Sequence, residues 1–463
     1  MKKRNSINMY IDYDKSYNRR GRRGRGIAFK ILLVVLLASS LGVGSYYAIK
    51  LQVEIENPGG IKRPGSQNQV LDDQAMDEGN NVGTQDTQPD NGQELVQNEG
   101  PGNEVTPGET TEGEKIYVKP SQRIIEEWDK RIPLKAKGIY VTATAAGKDN
   151  LEELLKVADT TEINAMVIDV KDDNGKITYA MDSKLAKEIG AITNTIPDME
   201  GLLKTLKEHD IYVIARVVAF KDPYLADHRH ELALKNKDGS IYRDNKGECW
   251  INPYNREVWE YLVEVASQTA VIGFNEVQFD YIRFSTGGGM SEVDFGDEAE
   301  TKTKEDIIIE FTKYAYEKLK PLGIFVSADV YGTIISSSID AGLVGQNYME
   351  MAKYLDYICP MIYPSHFGEG NYGVEYPDLE PLKIVRKVLT ASRTKLEQIP
   401  DGEHRAIVRP WLQDFTATWV KKHMEYGGPE LREQINGVYG ANYQEWLLWD
   451  AACTYSVDGL LPE

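Results

Sequence analysis

The run Glu276-Val277-Gln278-Phe279-Asp280-Tyr281-Ile282-Arg283-Phe284 is too apolar for a loop and too polar for an ordinary core strand. Read as a strand, its period-two alternation puts Glu276, Gln278 and Asp280 on one face and Val277, Phe279 and Tyr281 on the other. Strands buried in a parallel sheet are nearly continuous Val, Ile and Leu, so a face of hydrogen-bonding groups costs stability unless those groups are paired or used. The strand is therefore expected to carry chemistry at its C-terminal end, at Asp280. The competing reading is a buried Asp280–Arg283 ion pair that only holds a loop.

On both sides of this run the chain alternates short apolar stretches with helical ones, the mark of βαβ units. Strands are expected at 138–142, 165–171 and 211–217 before it, and at 323–330, 357–363, 405–411 and 445–450 after it. Helices are expected near 150–159, 199–208, 256–270, 305–319 and 382–395, with one more opening at Pro429. Eight strands with their helices fit an α/β chain closed as a (β/α)8 TIM barrel. The alternative is an open doubly wound sheet; residues 141–147 hold no Gly-rich phosphate fingerprint, which weakens a dinucleotide-binding version of it. Residues 220–253 are long enough to be a functional loop.

Such barrels carry their active sites where the strands end, and here those ends are polar. Asp169 and Lys171 close the second strand, Arg216 the third, Asp280 the fourth and Asp329 the fifth. Tyr363 and His366 follow the sixth, Arg409, Trp411 and Gln413 the seventh, and Trp449 and Asp450 the eighth. Carboxylates at several strand ends are what acid/base work on a neutral substrate requires.

Glycoside cleavage needs two carboxyl groups flanking one bond, and neighbouring strands lie roughly 4.8 Å apart, so Asp280 and Asp329 are the expected catalytic pair. Asp280 is assigned as nucleophile or base and Asp329 as acid. Asp169 is placed to orient a sugar hydroxyl, and Arg216 and Arg283 to favour whichever carboxylate stays ionised. Lys171, Gln278, His366, Arg409 and Asp450 complete the polar substrate-binding set. Trp250, Tyr331, Tyr363, Trp411 and Trp449 offer flat faces for sugar rings, or else pack the barrel mouth.

Neither metal nor cofactor is expected. Asp227-His228-Arg229-His230-Glu231 has the residue types of a metal cluster, but consecutive side chains point in different directions. The acidic loop Glu292, Asp294, Asp297, Glu298 and Glu300 reads as a solvated lid, with Gly287-Gly288-Gly289 giving it mobility.

The chain has 463 residues, and its first quarter does not read as foldable. Residues 1–26 form a basic cytoplasmic tail, 27–49 an apolar span long enough for a bilayer, 50–116 an acidic disordered linker, and 117–463 the folded domain, led by a helix around 121–130. The arginines preceding the span orient the rest outward. An uncleaved signal anchor is favoured over a cleaved signal peptide, and the adjoining apolar span argues against a basic nucleic-acid arm. A net charge of −19 argues against nucleic acid or anionic lipid bound through a basic surface. Cys249, Cys359 and Cys453 are too few and scattered for a disulfide framework; free buried thiols are expected, with one disulfide as the alternative.

The runs 166–172, 277–284, 327–332, 361–366 and 447–450 resemble the bacterial glycoside hydrolase-like TIM barrels long catalogued as a domain of unknown function and distantly similar to the α-amylase type. The resemblance spans about residues 137–452, and its most specific part ends in Ile282-Arg283-Phe284. Relatives usually place proline next, where this chain has Ser285. The resemblance implies a TIM barrel and carbohydrate-directed hydrolysis. The expected protein is thus a glycoside hydrolase tethered to the cell membrane and acting outside the cytoplasm on a polysaccharide or oligosaccharide. A transglycosylase is a near alternative, and a catalytically silent glycan-binding or scaffolding barrel a more distant one.

Overall fold

The computed structural model describes residues 129, 131–147 and 150–463. The tail, the span 27–49, the linker 50–116 and most of the helix expected at 121–130 lie outside the described residues. Among the described residues no helix is long and apolar enough to cross a membrane.

Eight parallel staves close into a barrel among the described residues. They are β1 (Lys137–Val141), β2 (Ala165–Lys171), β3 (Tyr212–Val218), β4 (Glu276–Asp280), β5 (Phe325–Tyr331), β6 (Tyr357–Met361), β7 (Ile407–Val408 with Trp411–Gln413) and β8 (Trp446–Trp449). Closure runs through Ile139 opposite Leu448 and Trp411 opposite both Met361 and Leu447, which excludes the open sheet. The seventh stave is split because Pro410 has no N–H to give a ladder. Its first half pairs with β6 and its second with β8.

The crossovers are amphipathic helices whose ends are signalled locally. In α1 (Leu151–Thr160) and α2 (Met199–Glu208) the apolar residues recur at helical spacing and are buried, and Asp198 caps α2 by accepting from Gly201 N–H at 2.8 Å. Helix α3 (Arg256–Ile272) ends at Gly273, whose φ of 104° suits a residue without Cβ. Helix α4 (Lys304–Leu319) opens with a reciprocal Thr303–Asp306 capping box. Helices α5 (Ser338–Val344), α6 (Pro381–Leu396) and α7 (Gly428–Gly440) complete the outer ring, and β8 is followed by a single turn, Val457–Gly459.

The polar face of β4 points inward and divides the barrel interior into levels. At the N-terminal end Glu276 accepts from Arg409 Nη1 at 2.9 and 3.0 Å and from the Tyr212 hydroxyl at 3.0 Å. Arg409 Nε reaches Glu445 at 2.9 Å, and its guanidinium lies 3.7 Å from the Tyr357 ring centre. Arg409 and Glu276 are both fully buried. The structure thus places Arg409 at the floor of the barrel, not at the mouth where a substrate would bind, because β7 restarts beyond Pro410. One level up, Gln278 donates to Cys359 Sγ at 3.2 Å, a packing role within the barrel. All three cysteines are free and buried.

The loops after β3 and β4 join into one cap. Lys235–Asn236 pairs antiparallel with Val293–Asp294, Gly288 N–H donates to Asn245, and Tyr242 and Ser285 share a hydrogen bond at 3.0 Å. Ser285 Oγ also takes the Gly287 N–H at 3.0 Å, a contact that a proline there would not offer. A Cβ at Gly287 would meet Tyr242 Oη at 2.6 Å, so this glycine serves close packing. The acidic loop is tied by Arg256 and Lys302 to Glu298 and Glu310. The glycine run, expected to give a lid its mobility, thus lies against Tyr242 and Asn245 of the other loop.

Replacing Arg409 with Met leaves Glu276 and Glu445 buried without their cation. Urea unfolding should register a loss of about 3–5 kcal/mol; a loss under about 1 kcal/mol would mean that this floor is not held by charge.

Candidate active site

At the C-terminal end of the barrel one guanidinium organises three staves. Register aligns Asp169 of β2 with Arg216 of β3, and Val218 of β3 with Asp280 of β4. Arg216, fully buried, donates from Nη1 to Asp169 at 2.7 Å, from Nε and Nη2 to Asp280 Oδ2 at 3.0 and 2.6 Å, and from Nη2 to Asp173 at 2.8 Å. Charge-assisted bonds of this length are the strong ones, and burial makes their geometry count. Asp169 also accepts from the Tyr140 hydroxyl at 2.6 Å, and Tyr140 stacks on Trp449 at 4.0 Å.

Asp280 ends β4 on a backbone that turns sharply. Its Oδ1 accepts from Tyr281 N–H at 2.6 Å, and Tyr281 has φ of +50°, a left-handed conformation that a bulky residue adopts only when its surroundings impose it. Arg283 lies 4.8 Å from the Tyr281 ring, 4.7 Å from Tyr331 and 5.1 Å from Trp250. These cation–π contacts pack the turn behind Asp280.

Asp329 is on the neighbouring stave. Register pairs Phe279 of β4 with Ala328 of β5, so Asp280 and Asp329 are the next residues on adjacent strands. Asp329 accepts from Trp411 Nε1 at 2.6 Å. Burial, and then the Asp280 charge, push its pKa well above the ordinary aspartate value of 3.8; the Trp411 N–H and Arg216 pull the other way. Asp173, on the loop after β2 and 18% exposed, is also pushed up, first by burial and then by Asp169 and Asp280, against Lys221.

The structure brings Asp169, Arg216, Asp280, Asp329, Trp411 and Trp449 together at the mouth and sends other expected residues elsewhere. Lys171 is fully buried and pairs with Asp222 at 2.8 Å while donating to Val218 O at 2.7 Å, so it fastens β2 to the loop after β3. That fastening leaves no room beside it: a Cβ on Gly175 would fall 1.9 Å from Asp222 Oδ1. Trp250 is 1% exposed and donates to Asp244 at 3.0 Å, which makes it cap packing, not an open platform. Asp450 accepts from Ala452 and Thr454 N–H groups and shapes the turn after β8. Tyr331 and Tyr363 are buried at the rim, and His366 is buried with Nδ1 2.9 Å from Ser365 Oγ.

Sequence reasoning missed two contributors, Tyr140 and Asp173. Tyr140 is the penultimate residue of β1, a strand whose polar face was not read. Asp173 belongs to an Asp-Asp-Asn-Gly turn that resembles ordinary punctuation. Among the described residues no group of His, Cys, Asp and Glu is arranged to hold a metal ion.

A closed barrel with a pair of aspartates on adjacent strand ends is an arrangement that glycoside cleavage can use. The model of the family described as "Putative glycosyl hydrolase domain" matches residues 138–455, and the chain belongs to that family of glycoside hydrolases. It is similar to a hypothetical protein from Ruminiclostridium thermocellum, with 40% identity over 42% of this chain and 97% of the other, and a TM-score of 0.39. The glycoside hydrolase domain of PgaB (BpsB) from Bordetella bronchiseptica is 13% identical, covering 71% and 99%, with a TM-score of 0.51. The spore cortex-lytic enzyme SleL from Bacillus megaterium is 11% identical, covering 71% and 74%, with a TM-score of 0.41. The PgaB domain supports the barrel fold alone. No curated protein matches the chain.

Asp414, just past β7, accepts from the Ser456 N–H at 2.9 Å and hydroxyl at 2.7 Å, and burial pushes its pKa from 3.8 up to about 6. Between those values the folded state binds more protons than the unfolded one, so stability present at low pH is lost as pH rises toward 6. Unfolding free energies measured from pH 3.5 to 7 should therefore flatten in Asp414→Asn, the wild type losing on the order of 2–3 kcal/mol more across the window. Parallel curves for the two proteins would contradict the assignment.

Proposed function

We propose that the protein cleaves a glycosidic bond of a polysaccharide with Asp329 as general acid and Asp280 as nucleophile or base, outside the cytoplasm and anchored through residues 27–49. The observation that carries the catalytic part is the unequal treatment of two adjacent carboxyl groups. Asp280 has the Arg216 guanidinium as its counter-ion, while Asp329 is buried against a single indole donor and pushed toward its protonated form. Environments that drive two carboxyl groups apart define acid and base roles.

In this reading the Asp329 proton passes to the glycosidic oxygen as the carbon–oxygen bond breaks. Asp280 either attacks the anomeric carbon or takes a proton from the water that does. One water is consumed, its hydroxyl remaining on the sugar; its proton goes to Asp329 when Asp280 is the nucleophile, and to Asp280 when Asp280 is the base, which then loses it to solvent while Asp329 regains one. Arg216 fixes the Asp280 carboxylate and holds Asp169 for a sugar hydroxyl, and the buried rings of Tyr140, Trp411 and Trp449 pack behind these carboxyl groups. Anchoring and outward placement rest on the apolar span and the arginines before it; protease treatment of intact cells should remove the domain 117–463.

Asp280→Asn and Asp329→Asn should each lower kcat by about two to four orders of magnitude on a cleaved glycan while leaving its binding intact. In the wild type the alkaline limb of kcat/KM should lie well above the aspartate range, since the rate falls as Asp329 loses its proton, and Asp329→Asn should abolish that limb. A wild type that binds a glycan and releases no reducing ends from a wide panel would favour the silent binding barrel.

A further inference from the structure

The loops after β6 and β7 carry aromatic rings that the cleavage chemistry does not use. Phe415 and Trp419 lie nearly parallel, with ring centres 5.9 Å apart and planes 21° from coplanar, and both are half-buried, keeping part of their surface open. The buried rings beneath them fix the pair: Tyr363 meets Phe415 edge-on at 5.8 Å, and His366 meets Phe415 at 6.3 Å and Trp419 at 6.4 Å, both nearly perpendicular. His366 is in turn held by Ser365, whose N–H donates to Gln413 of β7 at 3.1 Å. Apolar rings that stay partly wet while the groups behind them are locked form a preorganised face for a ligand with an apolar side, such as a pyranose ring.

Their place in the barrel gives the face a direction. The order around the mouth is β2, β3, β4, β5, β6, β7, so Asp329 stands between Asp280 and the ring pair. The groups that Arg216 gathers, Asp169 and Asp173, lie on the far side of Asp280. A general acid protonates the oxygen of the departing sugar, so that sugar belongs on the acid's side of the bond. From this arrangement we infer that Phe415 and Trp419 form a subsite for the leaving-group sugar of a polysaccharide, on which that ring stacks while it accepts the Asp329 proton and departs as an alcohol. The inference rests on the acid and base assignment proposed above.

A differential measurement tests it. Linear oligosaccharides of glucose, galactose and N-acetylglucosamine in both anomeric linkages would be compared with the glycosyl fluoride of whichever sugar is cleaved, since fluoride carries no ring to stack. Trp419→Ala and Phe415→Ala should each lower kcat/KM on the oligosaccharide by about tenfold, the worth of one ring contact. On the fluoride they should change it less than about twofold, and Trp419→Tyr should restore most of the oligosaccharide rate. Equal losses on both substrates, as a merely structural role would give, or no loss on the oligosaccharide, would overturn the subsite while leaving the glycosidase reading standing. A wild type without turnover on any of these substrates would overturn that reading and the subsite with it.

Discussion

A single buried cation, Arg216, sets the terms for the rest of the mouth. Its guanidinium donates four hydrogen bonds to three aspartates from β2, the loop after β2 and β4, and so ties the polar ends of neighbouring staves at distances of 2.6 to 3.0 Å. Carboxylates cannot be buried at such density without a cation among them, and a planar fork serves several at once where an ammonium would serve fewer. Asp329 is left with an indole N–H in place of a cation. Its raised affinity for a proton comes first from burial and then from the Asp280 charge beside it, with the Trp411 N–H and Arg216 opposing.

The same logic is used at the barrel floor for a different end. Arg409 there neutralises Glu276 and Glu445, packed against the Tyr357 ring and away from solvent. One strand, β4, supplies a carboxylate to each level, with Gln278 between them. The polar face that marks this strand is thus divided between holding the barrel together and lining the site. Stability and chemistry draw on the same alternation, which is why that face tolerates so many hydrogen-bonding groups.

Much of this was legible beforehand. Alternation along 276–280 placed three side chains inward, and the succession of apolar runs gave the staves and their order. The pairing of Asp280 with Asp329 followed from strand adjacency alone. What period-two reasoning cannot convey is height along the barrel axis, and there it failed: Arg409 looked like a residue of the mouth because Pro410 hid the break in β7. Lys171 was misplaced because its partner, Asp222, lies in a loop whose path no local pattern reveals. Trp250 was misjudged for the same reason, since the cap that buries it is assembled from two loops distant in sequence. Phe415 and Trp419 had no period to betray them, and Arg216 of the neighbouring stave is a partner of Asp280 that only register reveals.

Burial and the neighbouring Asp280 charge hold Asp329 toward its protonated form, and the catalytic assignment depends on that. Carboxyl carbon NMR titration of the purified domain, with Asp280 and Asp329 assigned by substitution, measures this directly. The account predicts that Asp329 titrates well above the ordinary aspartate range and that Asp280→Asn shifts it down, because a like charge is removed and Arg216 is released from its partner. An Asp329 that titrates near 3.8 in the wild type and stays there in Asp280→Asn would contradict it.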